Sequence, residues 1–305
     1  MKLLITGAIQ YNEKHIADIQ SMGHSVIWMQ NEKDPLPTSY ENVEGVICNG
    51  LFLHHPIEKF INLKYIQLTS AGLDRVPLEY IKAKGITIHN ARGVYSIPMA
   101  EFALSSVLSI YKQHDYFRVA QSDHRWNKHR GLRELYEKRI CILGCGDIGT
   151  ECAKRFSAMG CEIIGVDIVA EVKQYYNRIM PIAELHNALT CADVLILTLP
   201  LTEKTKHILG GDELSLLLEG SIIVNISRGG VLNTDALMEV MQRRQDMTAV
   251  LDVFEDEPLP CSSPLWDLSN VIISPHNSFV GEGNVDRLWK TVQSNLFNAA
   301  NQHLI

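Results

Sequence analysis

Three glycines, Gly144, Gly146 and Gly149, fall within the six residues GCGDIG, directly after the apolar run RICIL. Behind them Ile148, Cys152, Phe156 and Met159 recur at helical spacing, and Gly160 suits a helix stop. A glycine turn between a buried strand and a helix presents bare backbone N–H groups, and the helix start adds a partial positive charge. That is chemistry for phosphate. Gly144 permits the tight turn, Gly146 lets the backbone approach a pyrophosphate, and Gly149 allows close helix–strand contact. The next strand-like run, CEIIGV, stops on Asp167, 18 residues after Gly149. A carboxylate there accepts hydrogen bonds from adenosine ribose hydroxyls and repels a 2′-phosphate, so the pattern predicts a dinucleotide, NAD in preference to NADP. The plainer reading is a strand–helix turn with no ligand. Asp147 either crowds the pyrophosphate or serves the helix N-terminus, and both readings stand.

Three later stretches, NISRGGVLNTDAL, LDVFEDEP and SPHNSF, each begin as a strand and break at a Gly- or Pro-bearing loop. In a doubly wound sheet the carboxyl ends of the strands face the ligand crevice, so Arg228, Glu257 and His276 are expected to converge there, beside the nicotinamide. A guanidinium is a permanently charged, two-pronged donor suited to a carboxylate and a carbonyl oxygen. An imidazole exchanges a proton near neutral pH, and an acid beside it orients the ring and favours its charged form. Taken singly, each has a plainer reading: Arg228 a surface arginine, EDE a solvated acidic loop, His276 a structural histidine. Three such residues at matching strand ends of one sheet make coincidence a poor account.

The elements that must position these residues are legible along the chain. In the first third the strand candidates are KLLIT, SVIWM, GVICN, KYIQL and ITIHN, with helical stretches over 11–22 and 74–84. A longer helix is expected over 96–111, then a polar stretch dotted with aromatics, KQHDYFRVAQSDHRWNKHRG, read as a protruding arm in preference to a plain loop. A second series, RICIL, CEIIGV, DVLILTL, SIIVNIS, TAVLDV and NVIIS, supplies six strands, and a last helix is expected over 286–300. The alternation of strands and helices predicts an α/β fold with parallel sheets. At 305 residues there is room for two domains, and 46% hydrophobic with 21% charged residues is the composition of a globular protein. A net charge of −7 with no Lys/Arg run argues against nucleic-acid binding. Seven scattered cysteines without a CxxC pair, a start MKLLITG that reads as a strand and not a signal peptide, and no run of membrane-spanning length point to a reduced cytoplasmic compartment. His54–His55 lacks a metal-spaced partner, so no metal is expected.

With these motifs in hand, the chain resembles the D-isomer-specific 2-hydroxyacid dehydrogenase family, which includes phosphoglycerate, lactate and glycerate dehydrogenases. The resemblance rests on GCGDIG with Asp167, on LPLTEKTKHIL, on the ordered trio SRGG, DVFEDEP and SPH, and on TSAGLD and NARGVYSIPMAE. It implies a Rossmann NAD-binding domain over 97–280 and a smaller, flavodoxin-like substrate domain formed by 1–96 and 281–305, both doubly wound. It implies that Arg228 holds the substrate carboxylate and polarises the ketone, that His276 exchanges the proton, and that Glu257 orients His276. Backbone N–H groups of Ala71 and Gly72 would grip the carboxylate, and Tyr95 and Phe279 would lie near the substrate. Asp252 would lie near the nicotinamide ribose, with Asp147, Ile148, Leu199, Pro200, Thr205, Ile226 and Ser227 also among the cofactor-binding positions.

Specificity is expected in the loop NGLFLHH, where the bulky Leu51 and Phe52, with no basic cluster, suggest an uncharged 2-keto acid; plain core packing is the alternative. A homodimer through residues 98–133, with Tyr116, Phe117 and Trp126, follows from the resemblance and from those aromatics. Two rivals share the fold. A formate dehydrogenase would replace the acid partner of the histidine, against which Glu257 speaks. An NADH-sensing corepressor would usually carry extra partner-binding segments, which this chain does not show.

Overall fold

Continuous apolar runs, not alternating ones, fill the strands, because a parallel strand covered by helices is buried on both faces. The computed structural model describes residues 1–301. The chain divides into two compact units, one of Met1–Tyr95 with the segment that starts at Gly281, the other Ser96–Val280.

In the first unit, β1 (Lys2–Thr6), β2 (Ser25–Met29), β3 (Gly45–Cys48), β4 (Tyr65–Leu68) and β5 (Thr87–His89) form a parallel sheet in the order β2-β1-β3-β4-β5. All five expected strands are present. Helices α1 (Glu13–Ser21) and α2 (Leu78–Lys84) follow β1 and β4. The expected helix over 74–84 starts only at Leu78 because Pro77 disfavours helical geometry in the residue before it. The C-terminal helix α9 (Asn284–Asn301) returns to this unit, where Trp289, Val292 and Leu296 are buried with Leu3, Ile5 and Ile47 on one face of the sheet. Val46, Cys48, Leu51, Ile66 and Leu68 belong to the other face. Residues 302–305 of the expected domain segment 281–305 lie outside the described residues.

The second unit opens with α3 (Ser96–Tyr111) and α4 (His114–Ser122), so the polar stretch after residue 111 holds a nine-residue helix before an irregular segment. Seven strands follow: β6 (Arg139–Leu143), β7 (Glu162–Asp167), β8 (Arg178–Pro181), β9 (Val194–Leu197), β10 (Ile222–Asn225), β11 (Thr248–Leu251) and β12 (Val271–Ile273). They are parallel in the order β12-β11-β10-β9-β6-β7-β8, the doubly wound order with one added strand. Helices α5 (Asp147–Ala158), α6 (Leu185–Leu189), α7 (Gly211–Ser215) and α8 (Thr234–Arg243) lie between them. Six of the seven strands match the expected runs. The seventh, β8, is the edge strand RIMP, whose ends are exposed and which therefore carries no apolar run to read. Strands β9 and β10 are buried at every residue, and each fully buried Leu or Ile contributes about 1.5–3 kcal/mol. The order reverses between β6 and β9, so the carboxyl end of β6 stands at the switch point where such sheets bind ligands.

Candidate active site

The glycine turn sits at that switch point. Gly144 has φ +102°, and a Cβ there would stand 2.9 Å from the Leu199 nitrogen. A Cβ at Gly149 would stand 2.1 Å from the Gly144 carbonyl oxygen, so only glycine lets α5 start against the strand end. A Cβ at Gly146, the N-cap of α5, meets nothing within 4 Å, which leaves the helix start open to a phosphate group. The Thr198 hydroxyl donates to the Gly144 carbonyl at 2.6 Å and pins the turn to the end of β9. Burial pushes the Cys145 thiol up to about 11, so the turn carries a neutral thiol and no thiolate beside the phosphate position. Asp147 is the first residue of α5, half-buried, where a carboxylate favours the helix dipole. Ile148 follows it, also half-buried.

Asp167 ends β7. Its carboxylate accepts from the Cys145 backbone N–H at 2.6 Å and from the Val169 N–H at 3.3 Å. The acid therefore shapes the turn it faces. An ionised carboxylate has about four acceptor positions, so ribose hydroxyls are compatible with these two contacts. The residues after it, Ile168, Val169 and Val172, are exposed and apolar. These features suit an NAD cradle: an open helix start, glycines where nothing else fits, and an acid at the ribose end.

Along the same edge, Arg228, Glu257 and His276 follow β10, β11 and β12, three neighbouring strands. His276 Nδ1 lies 2.8 Å from Glu257 Oε2, and Glu257 Oε1 accepts the Phe254 N–H at 3.0 Å. The Phe279 ring stands edge-on to the imidazole, 5.9 Å between centroids. His276 is held at φ +50°, a left-handed conformation uncommon outside glycine that costs on the order of 1–3 kcal/mol and persists where the surroundings enforce it. Asp252 enforces it. Its carboxylate accepts the Ser274 hydroxyl at 2.6 Å and the N–H groups of Asn277 and Ser278 at 2.8 and 3.0 Å, and its carbonyl accepts the His276 N–H at 2.8 Å.

Asp252 is fully buried, and both of its carboxylate oxygens accept hydrogen bonds from the His276 loop. Arg228 donates to the Ser227 carbonyl at 2.8 Å, while Asn225, an acceptor for the Ser227 N–H and hydroxyl, donates to the Arg228 carbonyl. This Asn-centred turn was not singled out by the motifs. Its signal was present in an Asn at a strand end before SRGG, where the side chain substitutes for backbone in a tight turn.

The remaining expected cofactor positions lie on the adjoining loops. Leu199, Thr205, Ile226 and Ser227 are buried and Pro200 is exposed. The Thr205 hydroxyl donates to the Pro200 carbonyl at 2.6 Å and accepts the Thr202 N–H at 2.8 Å, so it folds its own loop.

In the first unit, Ala71 and Gly72 follow β4, and their carbonyls are tied back by Asn90 at 2.7 Å and Ser70 at 3.1 Å. The Tyr95 hydroxyl donates to the Thr69 carbonyl. Leu51 is fully buried in the core, the packing given as the alternative to a substrate contact, and Phe52 packs edge-on to Phe60 beside it. Unforeseen against that loop is Glu32, from the segment after β2, whose carboxylate accepts the N–H groups of Asn49 and Gly50, both at 2.7 Å, and the Thr6 hydroxyl at 2.7 Å. A cavity of about 410 Å³ lies beside it, lined also by Gly7, Asn49 and His54. No group of His, Cys, Asp and Glu suited to a metal ion occurs among the described residues.

Comparison with known proteins bears on what such a site belongs to. The model of the family "D-isomer specific 2-hydroxyacid dehydrogenase, NAD binding domain" matches residues 104–278. A D-3-phosphoglycerate dehydrogenase from Methanocaldococcus jannaschii is 36% identical over 90% of this chain, which spans only about half (53%) of that relative's length. A hydroxypyruvate reductase from Thermotoga maritima is 34% identical over 72% of each chain. The crystal structure of a D-isomer specific 2-hydroxyacid dehydrogenase family protein from Aeromonas salmonicida superposes with a TM-score of 0.80 at 25% identity, covering 97% of this chain and 94% of that one. The second unit is an NAD-binding domain, and the chain belongs to the D-isomer-specific 2-hydroxyacid dehydrogenase family.

Proposed function

We propose that the protein is an oxidoreductase that interconverts a small 2-keto acid and its D-2-hydroxy acid with NAD. The observation that carries this reading is the 2.8 Å contact of His276 with Glu257, on the sheet edge that also bears Arg228 and the glycine turn. Bound NADH supplies the hydride that the keto carbon receives. The Arg228 guanidinium binds the carboxylate and the keto oxygen together, and it stabilises the charge that grows on that oxygen. His276, held by Glu257 through Nδ1, gives its Nε2 proton to the alkoxide, and in the opposite direction Nε2 takes the hydroxyl proton. Glu257 fixes the ring and balances its charge. Ala71 and Gly72 are assigned to the substrate carboxylate by family resemblance, as are Tyr95 and Phe279 to its surroundings.

An unphosphorylated substrate is the better fit. The methanogen relative is named for a phosphorylated acid and the Thermotoga relative for hydroxypyruvate. In this chain the N–H groups of Asn49 and Gly50, which would suit an incoming anion, already hold Glu32, and a phosphate beside that carboxylate would be repelled. A cytoplasmic location suits seven unpaired cysteines and the lack, among the described residues, of any helix long and apolar enough to cross a membrane. The net charge of −7 does not suit nucleic acid. A homodimer through residues 98–133 would cover Phe117, Val119 and the 94% exposed Trp126; light scattering should give twice the chain mass, and monomer alone at working concentration would remove that assignment.

The test of the activity is NADH oxidation by the purified protein across a panel of 2-keto acids. Turnover is expected, and Arg228→Ala or His276→Ala should lower it by about a hundredfold or more with NADH binding retained. A wild type that binds NADH and turns over nothing on a broad panel would replace this reading with that of a sensor.

A further inference from the structure

We propose that His207 and Glu255 form a latch that fixes the loop bearing Arg228 against the loop bearing Glu257; both are positioning residues, and neither touches the reacting atoms. The inference rests on the oxidoreductase reading for its effect on rate, but its geometry stands alone. Three loops on the carboxyl edge of the second sheet meet at this pair. His207 lies between β9 and α7, and its backbone N–H donates to the Gly230 carbonyl at 2.8 Å, two residues beyond Arg228. The neighbouring Leu209 N–H donates to the Val231 carbonyl at 3.3 Å, and the Asn233 N–H to the Leu209 carbonyl at 3.0 Å, so 207–209 runs alongside 230–233.

The His207 side chain reaches the third loop. Nε2 stands 2.8 Å from Glu255 Oε2, and Nδ1 stands 3.5 Å from Asn233 Nδ2. Glu255 Oε1 accepts the Thr234 N–H at 2.9 Å, at the start of α8. Beneath this pair the two catalytic loops touch backbone to backbone: a Cβ at Gly229 would fall 1.9 Å from the Phe254 carbonyl carbon. Phe254 in turn donates its N–H to Glu257. One continuous chain of contacts therefore runs from Gly229 and Gly230, next to Arg228, through His207 and Glu255 to Glu257 and His276. The loop after β11 is exposed at Glu255, Asp256 and Glu257, where these polar contacts hold its tip, whereas 229–232 is buried, with Val231 and Leu232 in the core and Phe254 packed against it. His207 adopts φ +52°, the left-handed region that a non-glycine residue enters only where contacts compel it.

The pair matters because hydride and proton transfer tolerate little misplacement, and a displacement of about 1 Å between substrate clamp and proton donor costs on the order of a hundredfold in rate. The experiment compares wild type with His207→Ala, His207→Gln, Glu255→Ala and the double alanine variant. Glutamine places an amide N–H where Nε2 stood. The His207→Ala protein should lose about tenfold or more in kcat on the best 2-keto acid, with the Kd for NADH little changed. His207→Gln should recover most of that loss, and the double variant should be no worse than the worse single one. Amide hydrogen exchange, read without substrate, should accelerate about tenfold in His207→Ala over residues 227–234 and 253–258 alone. Exchange there equal to wild type, or acceleration spread over the whole unit, would overturn the latch. If the wild type turns over no 2-keto acid, the oxidoreductase reading fails by itself, and the exchange result still decides the latch.

Discussion

Two histidine–glutamate pairs stand on one edge of one sheet, each with a closest approach of 2.8 Å and each histidine at positive φ. In both, the second carboxylate oxygen accepts a backbone N–H, from Phe254 at Glu257 and from Thr234 at Glu255. The difference lies in the ring nitrogens. His276 gives Nδ1 to its acid, which leaves Nε2 for a ligand. His207 gives Nε2 to its acid and sets Nδ1 against Asn233. An imidazole that spends both nitrogens on protein can position but cannot exchange a proton with a substrate, so one pair is read as chemistry and the other as architecture.

The harshest test of that contrast is its largest effect. If His276 is the proton donor, His276→Ala should lower kcat/KM by about 10²–10⁴-fold. Arg228→Ala should lose activity comparably, whereas His207→Gln should stay near wild type. Steady-state NADH oxidation, with NADH binding followed by fluorescence, checks all three. Equal losses at His276 and His207 would break the contrast, because the second pair would then share in the chemistry.

How much of this was legible follows from what each residue touches. Buried parallel strands announce themselves as unbroken apolar runs, so eleven of the twelve strands among the described residues were visible, and β8 escaped because an edge strand need not be apolar. Glycines at Gly144 and Gly149 were readable because backbone contact forbids any other residue. The hold of Asp252 on the next loop was illegible because an acid at a strand end looks the same whether it faces a ligand or that loop. The two readings of Leu51 stayed open in the sequence because a loop next to a site also has a core side. His207 and Glu255 were illegible for a plainer reason: 48 residues separate them, and no local pattern links them.

Two aspartates sharpen the same contrast at intermediate size. Asp252 spends both oxygens on the His276 loop and is fully buried, while Asp167 is half-buried and has acceptor positions beyond its contacts with Cys145 and Val169. If Asp167 serves a ribose, Asp167→Ala should lower the preference for NADH over NADPH by roughly tenfold, the worth of about one charge-assisted hydrogen bond. Both absolute affinities should also fall, since the turn loses the 2.6 Å contact with Cys145. The ratio of kcat/KM with the two cofactors isolates the first effect from the second. An unchanged ratio would mean that the Asp167 carboxylate serves its own turn and not a ribose.

The smallest expected effect belongs to the latch acid itself. Burial raises the Glu255 carboxyl, but hydrogen bonds from Thr234 and His207 outweigh it, and the net shift is downward. A carboxyl depressed in the folded state contributes stability that is full above its unfolded value, about 4.3, and is lost as pH falls through the folded value. The Glu255 side chain is one-third exposed, so solvent screening keeps that contribution within about 1 kcal/mol. The gap in urea midpoint between wild type and Glu255→Gln should therefore be small at neutral pH and close as the pH falls below about 4. Closure would mean that ionised Glu255 attracts its donors and holds the loops by charge. A gap that persists unchanged in acid would mean that the neutral side chain holds them equally well by shape, and the architectural pair would then owe nothing to its charge.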